Sequence, residues 1–126
     1  MTAKSSSADC KILVVDDNQK VLRALSDLLK LKGYSVLTAQ NGAEGLYRIK
    51  SDDPISLVLL DLWMPLMDGW EFLLRKKRDR CIADVPVIVL SAIPPVSIDG
   101  AEAVLSKPVD LGPLMDAVKH YAAIGN

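Results

Sequence analysis

Apolar residues in this chain gather in four short unbroken runs: Ile12-Leu13-Val14-Val15, Leu57-Val58-Leu59-Leu60, Val87-Ile88-Val89-Leu90 and Ala103-Val104-Leu105. An apolar run without alternation is the signature of a parallel strand covered on both faces. Between the runs, apolar residues recur every three or four positions, the period of an amphipathic helix. Val21, Leu22, Leu25, Leu28, Leu29 and Lys32 share that spacing, and Gly33 supplies the left-handed stop that ends helices. Ser35 to Ala39 alternates briefly as a further strand, Asn41-Gly42 turns, and Ala43 to Lys50 makes a short helix with Leu46 and Ile49 inward. Ser51-Asp52-Asp53-Pro54 closes that unit as a loop. Asp68-Gly69 opens a helix whose Trp70, Leu73 and Leu74 read as core and whose end, Arg75-Lys76-Lys77-Arg78, reads as solvated and favoured by the helix dipole. Leu111 to Ala123 is the last helix, with Leu114, Val118 and Tyr121 on one face. Strands alternating with helices predict an α/β fold with a doubly wound parallel sheet.

One segment breaks the alternation. Where a helix belongs between the fourth and fifth strands stands Ala92-Ile93-Pro94-Pro95-Val96-Ser97-Ile98-Asp99-Gly100. Two prolines and a glycine leave room for a loop or at most one turn.

The apolar runs end in chemistry. Asp16-Asp17 follows the first, Asp61 the next, Ser91 the next, and Ser106-Lys107-Pro108 the last. If these runs are neighbouring parallel strands, three carboxylates, a hydroxyl and an ammonium meet at one sheet edge, where open α/β sheets place their sites. Crowded carboxylates repel one another unless a cation sits among them, which calls for a hard divalent metal, with Mg²⁺ the natural candidate. Each piece has a plainer reading. Asp16-Asp17 ahead of a helix reads first as a cap, Asp61 as a loop acid and Lys107 as an exposed lysine. His120 reads as a surface residue of the last helix. Only their joint placement at strand ends argues for a site.

Composition narrows the partners. With 126 residues the chain has the length of one domain, its first nine residues reading as a frayed tail and 10–126 as the folded unit. The 15 basic and 16 acidic residues nearly cancel, so nothing draws the surface to DNA or lipid. Two cysteines, Cys10 and Cys81, make no disulfide framework or zinc spacing, and no apolar run approaches the roughly 18 residues of a membrane span. A soluble, monomeric, cytoplasmic protein is expected.

Val14-Val15-Asp16-Asp17-Asn18, the stretch from Leu59-Leu60-Asp61 through Met64-Pro65 to Asp68-Gly69, Ser91-Ala92 and Lys107-Pro108 together resemble the receiver domain of two-component response regulators, over nearly the whole length from Lys11 to Tyr121. The resemblance implies a flavodoxin-like five-stranded sheet of order 2-1-3-4-5, here with the helix between strands four and five short or absent, and a receiver domain over 10–126. It implies that Asp61 accepts a phosphoryl group from a sensor histidine kinase or a histidine phosphotransfer protein. Asp17 and Asp61 would bind Mg²⁺ directly, Asp16 mainly through water, and the Trp63 carbonyl would add an oxygen. Lys107 would contact the phosphoryl oxygens, Ser91 would donate to them, and the Lys107-Pro108 peptide would be cis.

The chain departs from this family where the signal usually leaves. Val104 stands where receivers usually carry an aromatic, Val109 replaces the bulky residue after Lys-Pro, and the stretch from Ser91 to Lys107 is about six residues short, nearly two turns of helix. Trp63 and Ile93 flank the expected path of an attacking water and should shield the phosphoryl group. Three functions compete. A phosphoacceptor switch or relay, catalysing its own phosphorylation and dephosphorylation, leads. A pseudo-receiver that binds partners without phosphate is the alternative. A phosphohydrolase of the haloacid-dehalogenase type fails because Leu62-Trp63 follows Asp61 where a second acid is needed. The chain is read either as a stand-alone receiver or as a piece of a larger regulator or hybrid kinase.

Overall fold

The computed structural model describes residues 10–51 and 54–125, so the expected tail at 1–9 and the acids Asp52 and Asp53 lie outside the described residues. Five strands, β1 (Lys11–Val15), β2 (Ser35–Ala39), β3 (Leu57–Asp61), β4 (Val87–Ser91) and β5 (Ala103–Ser106), alternate with four helices. These are α1 (Gln19–Leu31), α2 (Gly42–Ile49), α3 (Gly69–Lys77) and α4 (Leu111–Gly125). The sheet is wholly parallel with order β2-β1-β3-β4-β5. This is the flavodoxin-like arrangement expected, and no helix stands between β4 and β5.

Because strand side chains alternate between faces, each apolar run feeds two cores. Leu13, Val15, Val58, Leu60, Val87 and Val89 pack with Leu46 and Ile49 of α2 and Phe72 and Leu73 of α3. Ile12, Val14, Leu57, Leu59, Ile88 and Leu90 pack with Leu22, Leu25 and Leu29 of α1 and with Leu114, Val118 and Ala122 of α4. At β5 the first core is covered by the β4–β5 loop: Ile98 and Ala101 accompany Val104, all only partly buried.

The local signals explain the boundaries. Asn18 caps α1, its side chain accepting from the Lys20 and Val21 N–H groups at 2.9 and 3.2 Å. Asn41 and Asp68 cap α2 and α3 in the same way. Asn41 is thus a helix cap as well as a turn residue. Gly33, at φ 98°, ends the first unit in a conformation that L residues disfavour. The expected core face of α3 is corrected: Gly69, Phe72, Leu73 and Lys76 are buried, whereas Trp70 and Leu74 are exposed. Nor is Lys76 solvated; its ammonium donates to the Ala83 carbonyl at 2.8 Å, tying α3 to the turn before β4. Burial holds its pKa below the usual lysine value, against the pull of Glu102 and Asp84.

Candidate functional site

Register brings the predicted residues to one edge. Val15 pairs with Leu60, Asp61 with Leu90, and Ser91 with Ser106, so Asp16, Asp61, Ser91 and Lys107 all stand at or just beyond strand C-termini. Carboxylate oxygens of Asp16, Asp17 and Asp61 lie within 4.8 Å of one another. Asp16, Asp61 and Ser91 are buried and Asp17 is exposed.

Asp16 is fixed on three sides. Its N–H donates to the Ala39 carbonyl at 3.0 Å, its Oδ1 accepts from the Asn18 N–H at 2.9 Å, and its Oδ2 accepts from Lys107 Nζ at 2.6 Å. Since Asn18 is the α1 cap, the Asp16-Asp17 pair is released from the capping role that the dipeptide alone suggests. Lys107 also approaches Asp61 Oδ1 at 3.6 Å, so one ammonium bridges two acids. The Lys107 N–H donates to the Ser91 carbonyl at 2.9 Å, which anchors β5's end to β4's, and the Lys107-Pro108 peptide is cis.

Asp61 carries the electrostatic strain of the cluster. Burial pushes its pKa above the usual carboxylate value, Asp16 pushes the same way, Lys107 and the Trp63 N–H oppose, and Asp17 adds a further push upward. A buried carboxylate facing two others through one lysine remains short of positive charge. The oxygen-only donor set, close spacing and raised pKa therefore fit a small hard dication.

The Asp68-Gly69 pair has a role beyond turning the chain. A Cβ on Gly69 would lie 2.6 Å from the Asp61 carbonyl oxygen and 2.7 Å from Leu62 Cα, and the Gly69 N–H donates to the Leu62 carbonyl at 2.8 Å. Only glycine lets α3 begin against the end of β3, fixing the backbone that presents Asp61. In the preceding loop Met67 N–H donates to the Pro65 carbonyl at 2.8 Å around Leu66, whose φ of 69° is the strained classic γ-turn value.

Two aromatic residues border the cluster. Trp63 is 57 % exposed and packs edge-on against Trp70, ring centroids 4.6 Å apart. Helical spacing placed Trp70 in the core; instead it props Trp63 beside the acids. Ile93 is 75 % exposed, and its N–H donates to Ser91 Oγ at 3.2 Å. Trp63, whose N–H lowers the Asp61 pKa by hydrogen bonding, is the less exposed of the two residues expected to shield the site.

The sequence matches the response regulator receiver domain family over residues 12–119. The chain belongs to that family. Among curated relatives, it is 42 % identical over 113 residues to the response regulator MprA of Mycolicibacterium vanbaalenii, covering 83 % of this chain and 47 % of that protein. It is 42 % identical over 83 residues to the probable transcriptional regulator ycf27 of Porphyra purpurea, covering 66 % of this chain and 32 % of that protein. The receiver domain therefore spans about a third to a half of these relatives' lengths. Among solved structures, a CheY-like receiver domain protein of Methanospirillum hungatei superposes with a TM-score of 0.80 at 27 % identity, covering 92 % of this chain and 95 % of that one. The receiver domain of a signal transduction histidine kinase from Syntrophus aciditrophicus superposes with a TM-score of 0.82 at 26 % identity, covering 90 % of each. No helix among the described residues is long and apolar enough to cross a membrane.

Proposed function

We propose that this receiver domain accepts a phosphoryl group on Asp61 from the phosphohistidine of a sensor histidine kinase or a histidine phosphotransfer protein, with Mg²⁺ as cofactor. The observation that carries this reading is the bridging of Asp16 and Asp61 by Lys107 within a cluster of three carboxylates. Asp17, Asp61 and the Trp63 carbonyl would hold the metal, with Asp16 acting through water. Bound there, Mg²⁺ supplies positive charge to the phosphoryl oxygens.

The chain's own groups supply the rest. An Asp61 carboxylate oxygen attacks phosphorus, a P–O bond forms, the donor's P–N bond breaks, and the electron pair stays on the departing imidazole nitrogen. Lys107, already 3.6 Å from Asp61, balances the incoming oxygens and gives up part of its contact with Asp16. Ser91 Oγ donates to the product, which draws on the hydroxyl that now accepts from the Ile93 N–H. Phosphorylation would thereby reach the β4–β5 loop through Ser91.

A phosphate-independent binding module is the second reading. It is favoured by the missing helix between β4 and β5 and by Val104, which has no aromatic ring to turn. Incubation with Mg²⁺ and acetyl phosphate, followed by intact mass and peptide mapping, separates the two. One phosphoryl group on Asp61, lost in Asp61→Asn and weakened with Mg²⁺ affinity in Asp17→Asn, is the expected result. Absence of the adduct in the wild type, or its persistence in Asp61→Asn, would overturn the assignment. Lys107→Ala should keep Mg²⁺ binding and lose most of the beryllofluoride-induced shift changes in the β4–β5 loop. Localisation follows as cytoplasmic, where such donors present their phosphohistidine.

A further inference from the structure

Without a helix between β4 and β5, one flank of α3 faces a loop. Between them runs a groove of about 490 Å³, with Trp70, Leu73, Leu74 and Lys77 on one wall and Ser97, Ile98 and Asp99 on the other. Trp70 is 37 % and Leu74 42 % exposed, Ile98 is half-buried, and Val96 stands fully in solvent on the same loop. Lys77 and Asp99 close one end at 2.6 Å. Scattered exposed apolar residues need no explanation, whereas here a tryptophan and a leucine line one groove with an isoleucine opposite.

Charge identifies the kind of occupant. Within the last turn of α3, Arg75 is neutralised by Glu71 at 2.7 Å, Lys77 by Asp99, and Lys76 is buried. Arg78 and Arg80 are exposed and form no ion pair among the described residues. Of the nearby acids, Asp79 is engaged by Lys50 at 3.3 Å and Asp84 acts on Lys76. Arg78 follows Leu74 by four residues and so continues the same stripe of α3. The surface therefore runs from apolar at Trp70 and Leu74 to cationic at Arg78, the C-cap of α3.

We infer that this groove docks a short amphipathic helix of another protein, whose apolar side chains fill the space between Trp70, Leu74 and Ile98 and whose acidic end meets Arg78. A helix suits the walls, because a helix and a loop line the groove and no strand edge is offered for pairing. A second copy of this chain would present α3 itself, whose last turn carries the same positive charge. The inference goes beyond phosphoryl transfer and stands whether or not Asp61 is phosphorylated.

The test is selection of a randomised 16-residue peptide display library against the unmodified chain, followed by amide shift mapping with the enriched peptides. Enriched sequences should carry apolar residues at three- and four-residue spacing and an Asp/Glu-rich end. They should shift amides of 70–78 and 96–99. Leu74→Glu should weaken their binding by about tenfold or more, as loss of a central anchor does. Arg78→Glu should weaken it severalfold and reduce its salt dependence. Both variants change exposed positions, and dispersed amide spectra verify that they fold. Failure to enrich any binder, binders that map elsewhere or lack acidic residues, or concentration-dependent self-association that protects 70–78 would each overturn the inference.

Discussion

The two ends of the sheet edge that carries the site are built differently. Around β1 and β3 the strands are sealed on both faces: Leu13, Val15, Leu57 and Leu60 show no exposure, and helices cover each side. Around β5, Ala103, Val104 and Leu105 are only partly buried, and a loop takes the place of a helix. The sealed end holds Asp16 and Asp61, while the thin end supplies Lys107 and, through the β4–β5 loop, a more exposed surface. The acid cluster sits on the densely packed side, and the side with the loop is the more lightly packed one.

The largest test of that contrast is stability. Truncating Phe72→Ala, fully buried between α3 and the sheet, should cost about 3–5 kcal/mol in urea unfolding. Val104→Ala, at the thin end, should cost less than about 1.5 kcal/mol. Equal losses would show that the β5 region is as cooperative with the core as β3. Gly69→Ala comes next, at about 1–3 kcal/mol, because its methyl would meet the Asp61 carbonyl and must displace it. Phosphorylation from acetyl phosphate should fall with it, whereas a variant that lost stability and kept full activity would mean that the β3–α3 junction does not position Asp61.

Within the site, the sign of the pH effect follows from Asp61. Its folded pKa is raised above the unfolded value, so the native state holds the extra proton between the two. Metal-free stability should therefore fall as pH rises from near 3.8 through the raised value, with the penalty fully present above it. Asp61→Asn should raise the metal-free melting temperature at pH 7 and flatten that slope, and Mg²⁺ should stabilise the wild type far more than the variant. A wild type and variant with the same slope would place the strain elsewhere. Turnover sharpens the contrast further: Trp63→Asn should hydrolyse the phosphoryl group several times faster, whereas Ile93→Ala should change it little, because Ile93 points mostly into solvent. Faster loss in Ile93→Ala alone would return the shielding role to the loop. The smallest effect belongs to Leu66→Gly, where release of the positive-φ strain should stabilise by up to about 1 kcal/mol.

Much of this protein was legible in its sequence. Unbroken apolar runs required strands buried on two faces, Pro94-Pro95 and Gly100 ruled out a helix there, and charged residues at run ends marked the edge where a site forms. Those inferences hold because backbone preference and burial are set locally. The orientation of α3 was not legible. Lys76 occupies a core-facing position and disguises the true stripe of Phe72, Leu73 and Lys76, so helical spacing points Trp70 to the core whereas its ring packs against Trp63. A lysine is readable as buried only when the carbonyl that satisfies it is known, and Ala83 lies seven residues on. In the same way, nothing in the chain states that Lys107 reaches Asp16 across 91 positions or that Gly69 must clear the Asp61 carbonyl. The sequence determined which residues could do the chemistry and which elements would carry them. Tertiary structure alone decided their distances, their burial and the upward push on the Asp61 pKa, because those depend on neighbours brought together only when the sheet assembles.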